Sequence, residues 1–115
     1  MQKIIDDYIA MNIAGQVLEL CQKYYANNVL MLNNGQVFAE SMQESYDKQQ
    51  KYIGLVTKFE VKLLSAKIQG NLSELVFHYK MHGTDSVNEF TGKHIQTWEN
   101  EKIVREEYLS IDPVV

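Results

Sequence analysis

The sequence predicts one α+β domain, 1–115, in which N-terminal helices pack on a strongly curved antiparallel sheet. Apolar residues recur at helical spacing in the first half of the chain, whereas apolar and polar residues alternate in four segments after residue 57. The connections between those segments are short, which favours an antiparallel meander. Helices followed by a run of strands are typical of the α+β class, and the length suits a single domain.

Residues 2–25 are predicted to form two helices. Gly15 lies inside the helical pattern, and an interior glycine costs about 1 kcal/mol relative to alanine. We therefore expect the helix to break near Gly15, and "ANN" at 26–28 to end the second helix, since Asn tolerates a left-handed cap. The apolar stripe that supports both helices consists of Ile5, Tyr8, Ile9, Ile13, Val17, Leu20, Cys21 and Tyr24.

The middle of the chain predicts a short strand, a turn and a third helix. "VLML" at 29–32 has the composition of a strand, and "NNG" at 33–35 has that of a turn. Residues 40–53 place apolar side chains at helical spacing and polar ones between them, and Gly54 is a stop signal. The remaining strands are predicted at 58–68, 73–83, 90–98 and 102–111.

Charge and composition argue against several partners and locations. The net charge of −4 and the lack of a Lys/Arg cluster argue against nucleic acid as a partner. The apolar runs are far shorter than about 18 residues, so no membrane span is expected. Asp6 and Asp7 interrupt what would be the apolar part of an export signal, and Cys21 is the single cysteine, so a cytoplasmic location is predicted.

The last predicted hairpin, "GKHIQTWENEKIVREEYL" at 92–109, carries an unusual face. His94, Gln96 and Trp98 share one side, because strand side chains repeat every two residues. Trp98 needs apolar cover, whereas His94 and Gln96 need hydrogen-bond partners. A mostly apolar pocket with a few placed polar groups meets both needs.

The register of this hairpin depends on its turn. A two-residue turn would bring Arg105 and Glu107 to the pocket face, because a slip of one residue exchanges every side chain. A three-residue turn at 99–101, which we favour, sets His94 opposite Glu106, so that the carboxylate fixes the imidazole tautomer. The residues then sharing the pocket face are Val104, Glu106 and Tyr108.

Two stretches of the chain carry a family signature. "CQKYYANNVLMLNNGQVFAE" joins a helix end to an aromatic-Ala-polar-polar segment, a strand and a loop, and "HIQTWENEKIVREEYL" is a hairpin with a Lys-Ile pair after a tight turn. With the element order over nearly the whole chain, they resemble the nuclear transport factor 2-like superfamily and its SnoaL-like and ketosteroid-isomerase-like branch. The resemblance implies a cone-shaped α+β roll with a deep pocket at its wide end, commonly dimeric through the convex face of the sheet.

The resemblance also implies where catalytic residues would lie. The isomerases of this branch use a helix tyrosine and a protonated sheet acid as an oxyanion hole, and an aspartate as general base. The tyrosine corresponds to Tyr8, the sheet acid to His94, and the base to a position near Asn33, where an amide cannot take up a proton. With one match in three, the isomerase activity is not carried over.

The predicted function is that of a small-molecule pocket protein, with two alternatives. It would bind an apolar, carbonyl-bearing compound and transform it by isomerase, cyclase, hydrolase or dehydratase chemistry. His94 would be the acid or base, Glu106 its orienting group, Tyr8 and Gln96 oxygen ligands, and Trp98 an apolar wall. The other predicted pocket-lining residues are Asn33, Val104, Tyr108 and Tyr25. The alternatives are a non-catalytic ligand-binding domain and a dimeric interaction domain whose pocket is incidental.

The sequence predicts neither a metal nor a cofactor, and it predicts self-association. His78 and His82 lie two pleats apart on one strand without supporting Cys or H-E-x-x-H spacing, so no metal is expected, and no cofactor is predicted. The convex face of the sheet has too many apolar residues to stay wholly in water, which predicts a homodimer through that face.

Overall fold

The computed structural model describes residues 1–111, which form three helices packed on a six-stranded sheet. The predicted α+β class is confirmed. The helices are α1 (Gln2–Ile13), α2 (Val17–Tyr24) and α3 (Met42–Ile53). The strands are β1 (Tyr25–Asn33), β2 (Gln36–Ala39), β3 (Lys58–Gln69), β4 (Leu72–His82), β5 (Val87–Glu99) and β6 (Lys102–Ile111).

Two of the predicted helix ends are confirmed, at Gly15 and Gly54, but the predicted left-handed cap of the second helix at 26–28 is wrong. α2 ends at Tyr24, and the chain continues directly into β1 with Tyr25 already extended. Gly15 separates α1 from α2 at φ +76°, a left-handed conformation that glycine adopts readily. A side chain there would also meet the ring of Phe59, since an added Cβ lies 3.2 Å from it. At the start of α3 the Ser41 hydroxyl accepts a hydrogen bond from the Glu44 amide at 3.1 Å. Gly54 then ends α3, as predicted.

The sheet order is β2-β1-β6-β5-β4-β3, and the meander from β3 to β6 is antiparallel, as predicted. The sheet as a whole is mixed, because β1 lies parallel to β6, a pairing that the sequence does not predict. β2 is not predicted from the sequence, because its four residues are too few to show an alternating pattern. The hairpin of β1 and β2 extends the sheet beyond β6, so that β1 brings side chains to the site.

The turn of the last hairpin has two residues, so the predicted three-residue turn is wrong. Asn100 and Glu101 both have positive φ, as a tight hairpin turn requires. His94 therefore lies opposite Tyr108, not Glu106, and Gln96 lies opposite Glu106. A bulge shifts the register between Thr97 and Trp98, because Val104 on β6 has no partner on β5. Glu106 therefore lies on the same face of the sheet as His94.

One face of the sheet, called the concave face below, is covered by the helices, and the core lies between them. The opposite, convex face carries no helix of the described residues. Fully buried apolar side chains come from α1, α2, β1, β4 and β6, and include Ile5, Cys21, Val29, Leu75, Phe77 and Ile103. No helix within residues 1–111 is long and apolar enough to cross a membrane.

Candidate functional site

A cavity of about 410 Å³ opens between the helices and the concave face, within the size range of small-molecule sites. Its walls are largely apolar and aromatic, with Leu20, Met31 and Phe90 among them. The exposed lining residues mark its mouth, and they are Asn33, Lys48, Tyr52 and Asn88. The buried polar lining residues mark its closed end, and they are Tyr8, Asn12, Tyr25, Tyr79 and Glu106.

Glu106 lies at the centre of the closed end and is only 3% exposed. The Tyr25 hydroxyl donates to its two carboxylate oxygens at 2.9 and 3.0 Å. The Gln96 amide donates to Oε2 at 2.6 Å, and the Tyr8 hydroxyl lies 3.4 Å from the same oxygen. A buried carboxylate requires such donors because it has lost its water.

These neighbours decide the charge of the closed end. Burial raises the pKa of Glu106, but the electrostatic effect of the nearby His94 and the hydrogen bonds from Gln96 and Tyr25 outweigh it, so the pKa is lowered. Burial, followed by the charge of Glu106, raises the pKa of Tyr8 and Tyr25 well above the usual value. The closed end therefore holds an ionised carboxylate between neutral phenols.

His94 lies beside this carboxylate with both ring nitrogens turned towards the protein. Its Nε2 is 2.7 Å from the Tyr79 hydroxyl, which accepts a hydrogen bond from Asn12 Nδ2 at 3.0 Å. The Tyr79 hydroxyl thus lies between the Asn12 amide and the imidazole. The other nitrogen, Nδ1, is buried and lies 3.6 Å from Glu106 Oε1. It has no hydrogen-bond partner among the described residues.

Behind the cavity, a second row of hydrogen bonds fixes Gln96. Trp98 Nε1 donates to Ser73 Oγ at 2.8 Å, and Ser73 Oγ donates to Gln96 Oε1 at 2.8 Å. This leaves the Gln96 amide nitrogen facing Glu106. The Trp98 ring packs edge-on against Tyr8 and Tyr24. Trp98 and Gln96 therefore support the closed end from the core.

The predicted site residues fall into three groups. Tyr8, Tyr25, His94, Glu106, Tyr108 and Asn33 line the cavity, with Asn33 at its mouth. Gln96 and Trp98, predicted to line it, lie behind it in the core, because the helices cover that part of β5. Val104, also predicted to line it, does not, since the bulge gives the core position to Ile103.

Sequence reasoning missed several residues of the site. Asn12 lies four residues after Tyr8 in α1, and a polar residue at that spacing signals a polar group on the buried helix face. Tyr79 has no such signal. Gly92 lies inside a strand, which often marks a close approach. An added Cβ there would lie 2.3 Å from the Tyr108 ring, so Gly92 makes room for Tyr108 beside His94.

Cys21 and the exposed histidines are not part of the site. Burial raises the pKa of the Cys21 thiol to about 12, so the thiol stays protonated and inert. His78 and His82 lie on β4 and bind Glu89 and Glu60 on the neighbouring strands. Residues 1–111 contain no group of three or more His, Cys, Asp or Glu side chains arranged to hold a metal ion.

Comparison with known proteins connects this architecture to a fold family. No family model and no curated protein sequence matches the chain. Among solved structures, a protein named as a SnoaL-like polyketide cyclase from Mesorhizobium loti superimposes with a TM-score of 0.76 at 17% identity, over 93% of this chain and 96% of that one. A cystatin-fold protein from Novosphingobium aromaticivorans gives 0.78 at 18% identity, over 92% and 94%.

A third structure is similar over nearly its whole length. It is a nuclear transport factor 2-like protein from Exiguobacterium sp. 255-15, with a TM-score of 0.76 at 15% identity, over 95% of this chain and 98% of that one. At such identities the likeness concerns the fold, and it confirms the resemblance drawn from the sequence. The chain therefore has the α+β fold of nuclear transport factor 2-like proteins.

Proposed function

We propose that this protein binds a small, largely apolar molecule in its cavity, with the polar group of the molecule at the Glu106 end. The observation that carries the proposal is the ionised, buried Glu106 at the closed end of an otherwise apolar cavity. A purely structural core gains little from a buried charge, since apolar residues of similar volume often stabilise it as well. The small-molecule chemistry implied by the name of the Mesorhizobium loti neighbour points the same way.

Proton-transfer catalysis by His94, Glu106 and Tyr8 is a second proposal. It is favoured by the 3.6 Å approach of His94 Nδ1 to Glu106 Oε1 inside the cavity wall. Two features weigh towards binding instead. The ring nitrogens of His94 face protein groups, and the lowered pKa of Glu106 makes its carboxylate a weak base near neutral pH. Turnover lost in Glu106→Gln, with binding retained, would favour catalysis.

The binding proposal is tested with a library of small apolar fragments and amide-detected NMR spectra. We expect binders whose shifts concentrate on the residues of the closed end. Val17→Trp, which adds a large ring to the cavity wall, should abolish them in a folded protein. Val87→Trp, the same change at an exposed position outside the cavity, is the control and should not. No binder, or binders unaffected by Val17→Trp, would contradict the proposal.

We also propose that two copies associate through the convex face. Support comes from Val76, Ile95 and Leu109, which are half-buried on that face of three adjacent strands. Ile95→Lys should then turn a dimer into a monomer. Light scattering at roughly tens of micromolar, a range where a specific dimer persists, measures this. A monomeric unaltered protein would contradict the proposal.

A further inference from the structure

Apart from His94 Nδ1, which is buried beside Glu106 without a hydrogen-bond partner among the described residues, the polar groups at the closed end of the cavity direct their hydrogens at protein groups. Tyr25 gives its hydroxyl hydrogen to Glu106. The Tyr8 hydroxyl can give its hydrogen to the Tyr25 hydroxyl, at 3.3 Å, or to Glu106 Oε2, at 3.4 Å. The Tyr79 hydroxyl is paired with Asn12 Nδ2 and with His94 Nε2. What these groups leave for a ligand is oxygen lone pairs.

The amide side chains of the cavity wall also direct their hydrogens at protein groups. Asn12 Nδ2 donates to the Tyr79 hydroxyl. Gln49 Nε2 donates to Ser45 Oγ at 2.9 Å and lies 3.4 Å from Cys21 Sγ. The oxygens of Asn12 and Gln49 accept no hydrogen bond from the described residues, and both residues line the cavity. Two further acceptors thus lie in the cavity wall.

We infer that the closed end of the cavity binds a hydrogen-bond donor of the ligand, a hydroxyl or an ammonium group, in preference to a carbonyl. The inference rests on the proposed binding function and specifies its ligand class. A carbonyl oxygen would lie against the oxygens of Glu106, Tyr8 and Tyr25 with no hydrogen between them, whereas a donor supplies the missing hydrogen. A site with buried polar groups discriminates in this way because the wrong ligand leaves those groups unpaired. The inferred ligand differs from the carbonyl-bearing compound that the sequence predicts.

Four probes of nearly equal size test the preference: indan-1-ol, 1-aminoindane, indan-1-one and indane, titrated by calorimetry at neutral pH. We expect the alcohol or the amine to bind about tenfold tighter than the ketone, the size of one hydrogen bond to a charged group. The alcohol and the amine together show whether the preferred donor is neutral or cationic. A ketone that binds as tightly as both donors would overturn the inference while leaving the binding function intact. If none of the four binds, the proposed function fails and the inference with it.

A matched pair of variants locates the contact. Tyr8→Phe removes a hydroxyl at the closed end, and Tyr52→Phe removes one at the exposed mouth. Tyr8→Phe should weaken binding of the preferred donor about three- to tenfold and leave the ketone unchanged, whereas Tyr52→Phe should change neither. If Tyr8→Phe weakens all the probes equally, or Tyr52→Phe has the larger effect, the donor is not bound at the closed end.

Discussion

Two kinds of histidine–glutamate pair occur in this protein, one on each face of the sheet. On the concave face, the side chains of His94 and Glu106 are 12% and 4% exposed, and Nδ1 and Oε1 lie 3.6 Å apart. On the convex face, His82 and Glu60 are 25% and 46% exposed, and Nε2 and Oε2 lie 2.5 Å apart. The exposed pair is thus the shorter one.

The difference shows that distance alone does not rank such pairs. Glu60 is surrounded by water, which solvates its charge whether or not His82 is near, so the pair contributes little to stability. Glu106 is only 3% exposed, so solvent stabilises its charge far less, and the lowering of its pKa depends on Tyr25, Gln96 and His94 together. Substitutions around Glu106 should therefore change the free energy of unfolding more than substitutions around Glu60.

The largest expected effect comes from removing the support behind the buried pair. Trp98→Ala deletes a buried ring, 3% exposed, and the donor that fixes Ser73 and Gln96. We expect a loss of about 3–5 kcal/mol in the free energy of unfolding, measured by urea denaturation. Thr97→Ala, the neighbouring position on the convex face, is the control and should cost far less. Equal losses at the two positions would contradict the contrast between the faces.

Glu106→Gln should have the next largest effect. It removes the charge while keeping the shape, and the new amide hydrogens would meet the Gln96 amide and the Tyr8 hydroxyl. We expect about 1–3 kcal/mol of destabilisation, the cost of unpaired buried polar groups. Glu107→Gln, one residue further on the convex face, is the matched control. A stability unchanged in Glu106→Gln would mean that the buried charge is not held by its neighbours.

The sequence predicts the framework of the fold well because the framework follows from periodicity. Helix breaks at Gly15 and Gly54 and the alternation of β3 to β6 are local signals. The parallel pairing of β1 with β6 joins residues about eighty positions apart, and no local pattern encodes it. The predicted turn of the last hairpin is one residue too long. Glu106 still lies on the concave face because the bulge opposite Thr97 and Trp98 leaves Val104 without a partner on β5.

The site was harder to predict than the fold because it depends on which buried groups meet. Alternation identifies the strand face of His94, but not that Gln96 and Trp98 lie under the helices, outside the cavity. The contact of Asn12 with Tyr79 joins a helix to a strand 67 positions later, and only the folded chain shows it. The alternation of residues along a strand therefore predicts the face of the sheet on which a side chain lies. How deeply the side chain is buried depends on tertiary packing.

The dependence of stability on acid pH should separate the two pairs further. The pKa of Glu106 is lower in the folded chain than its usual value of 4.5, against the effect of burial and through His94, Gln96 and Tyr25. Because the folded state binds the proton less readily, the stability that Glu106 contributes is fully present above about pH 4.5 and is lost as the pH falls through the folded-state pKa. The difference in unfolding free energy between the unaltered protein and Glu106→Gln should shrink from about pH 6 to pH 3. A difference that grows towards acid pH would contradict the lowered pKa.

The smallest effect is expected from the exposed pair, and salt should distinguish it from the buried one. The hydrogen bond from His82 is the main cause that lowers the pKa of Glu60, but water surrounds the carboxylate. Glu60→Gln should therefore change the unfolding free energy by little at low salt and by nothing measurable at about 1 M NaCl, where screening reaches only about 3 Å. The loss in Glu106→Gln should persist at the same salt concentration, since salt screens buried groups much less than exposed ones and Glu106 is only 3% exposed. Urea denaturation of both variants at two salt concentrations measures this, and a loss in Glu106→Gln that disappears with salt would show that solvent reaches the buried pair.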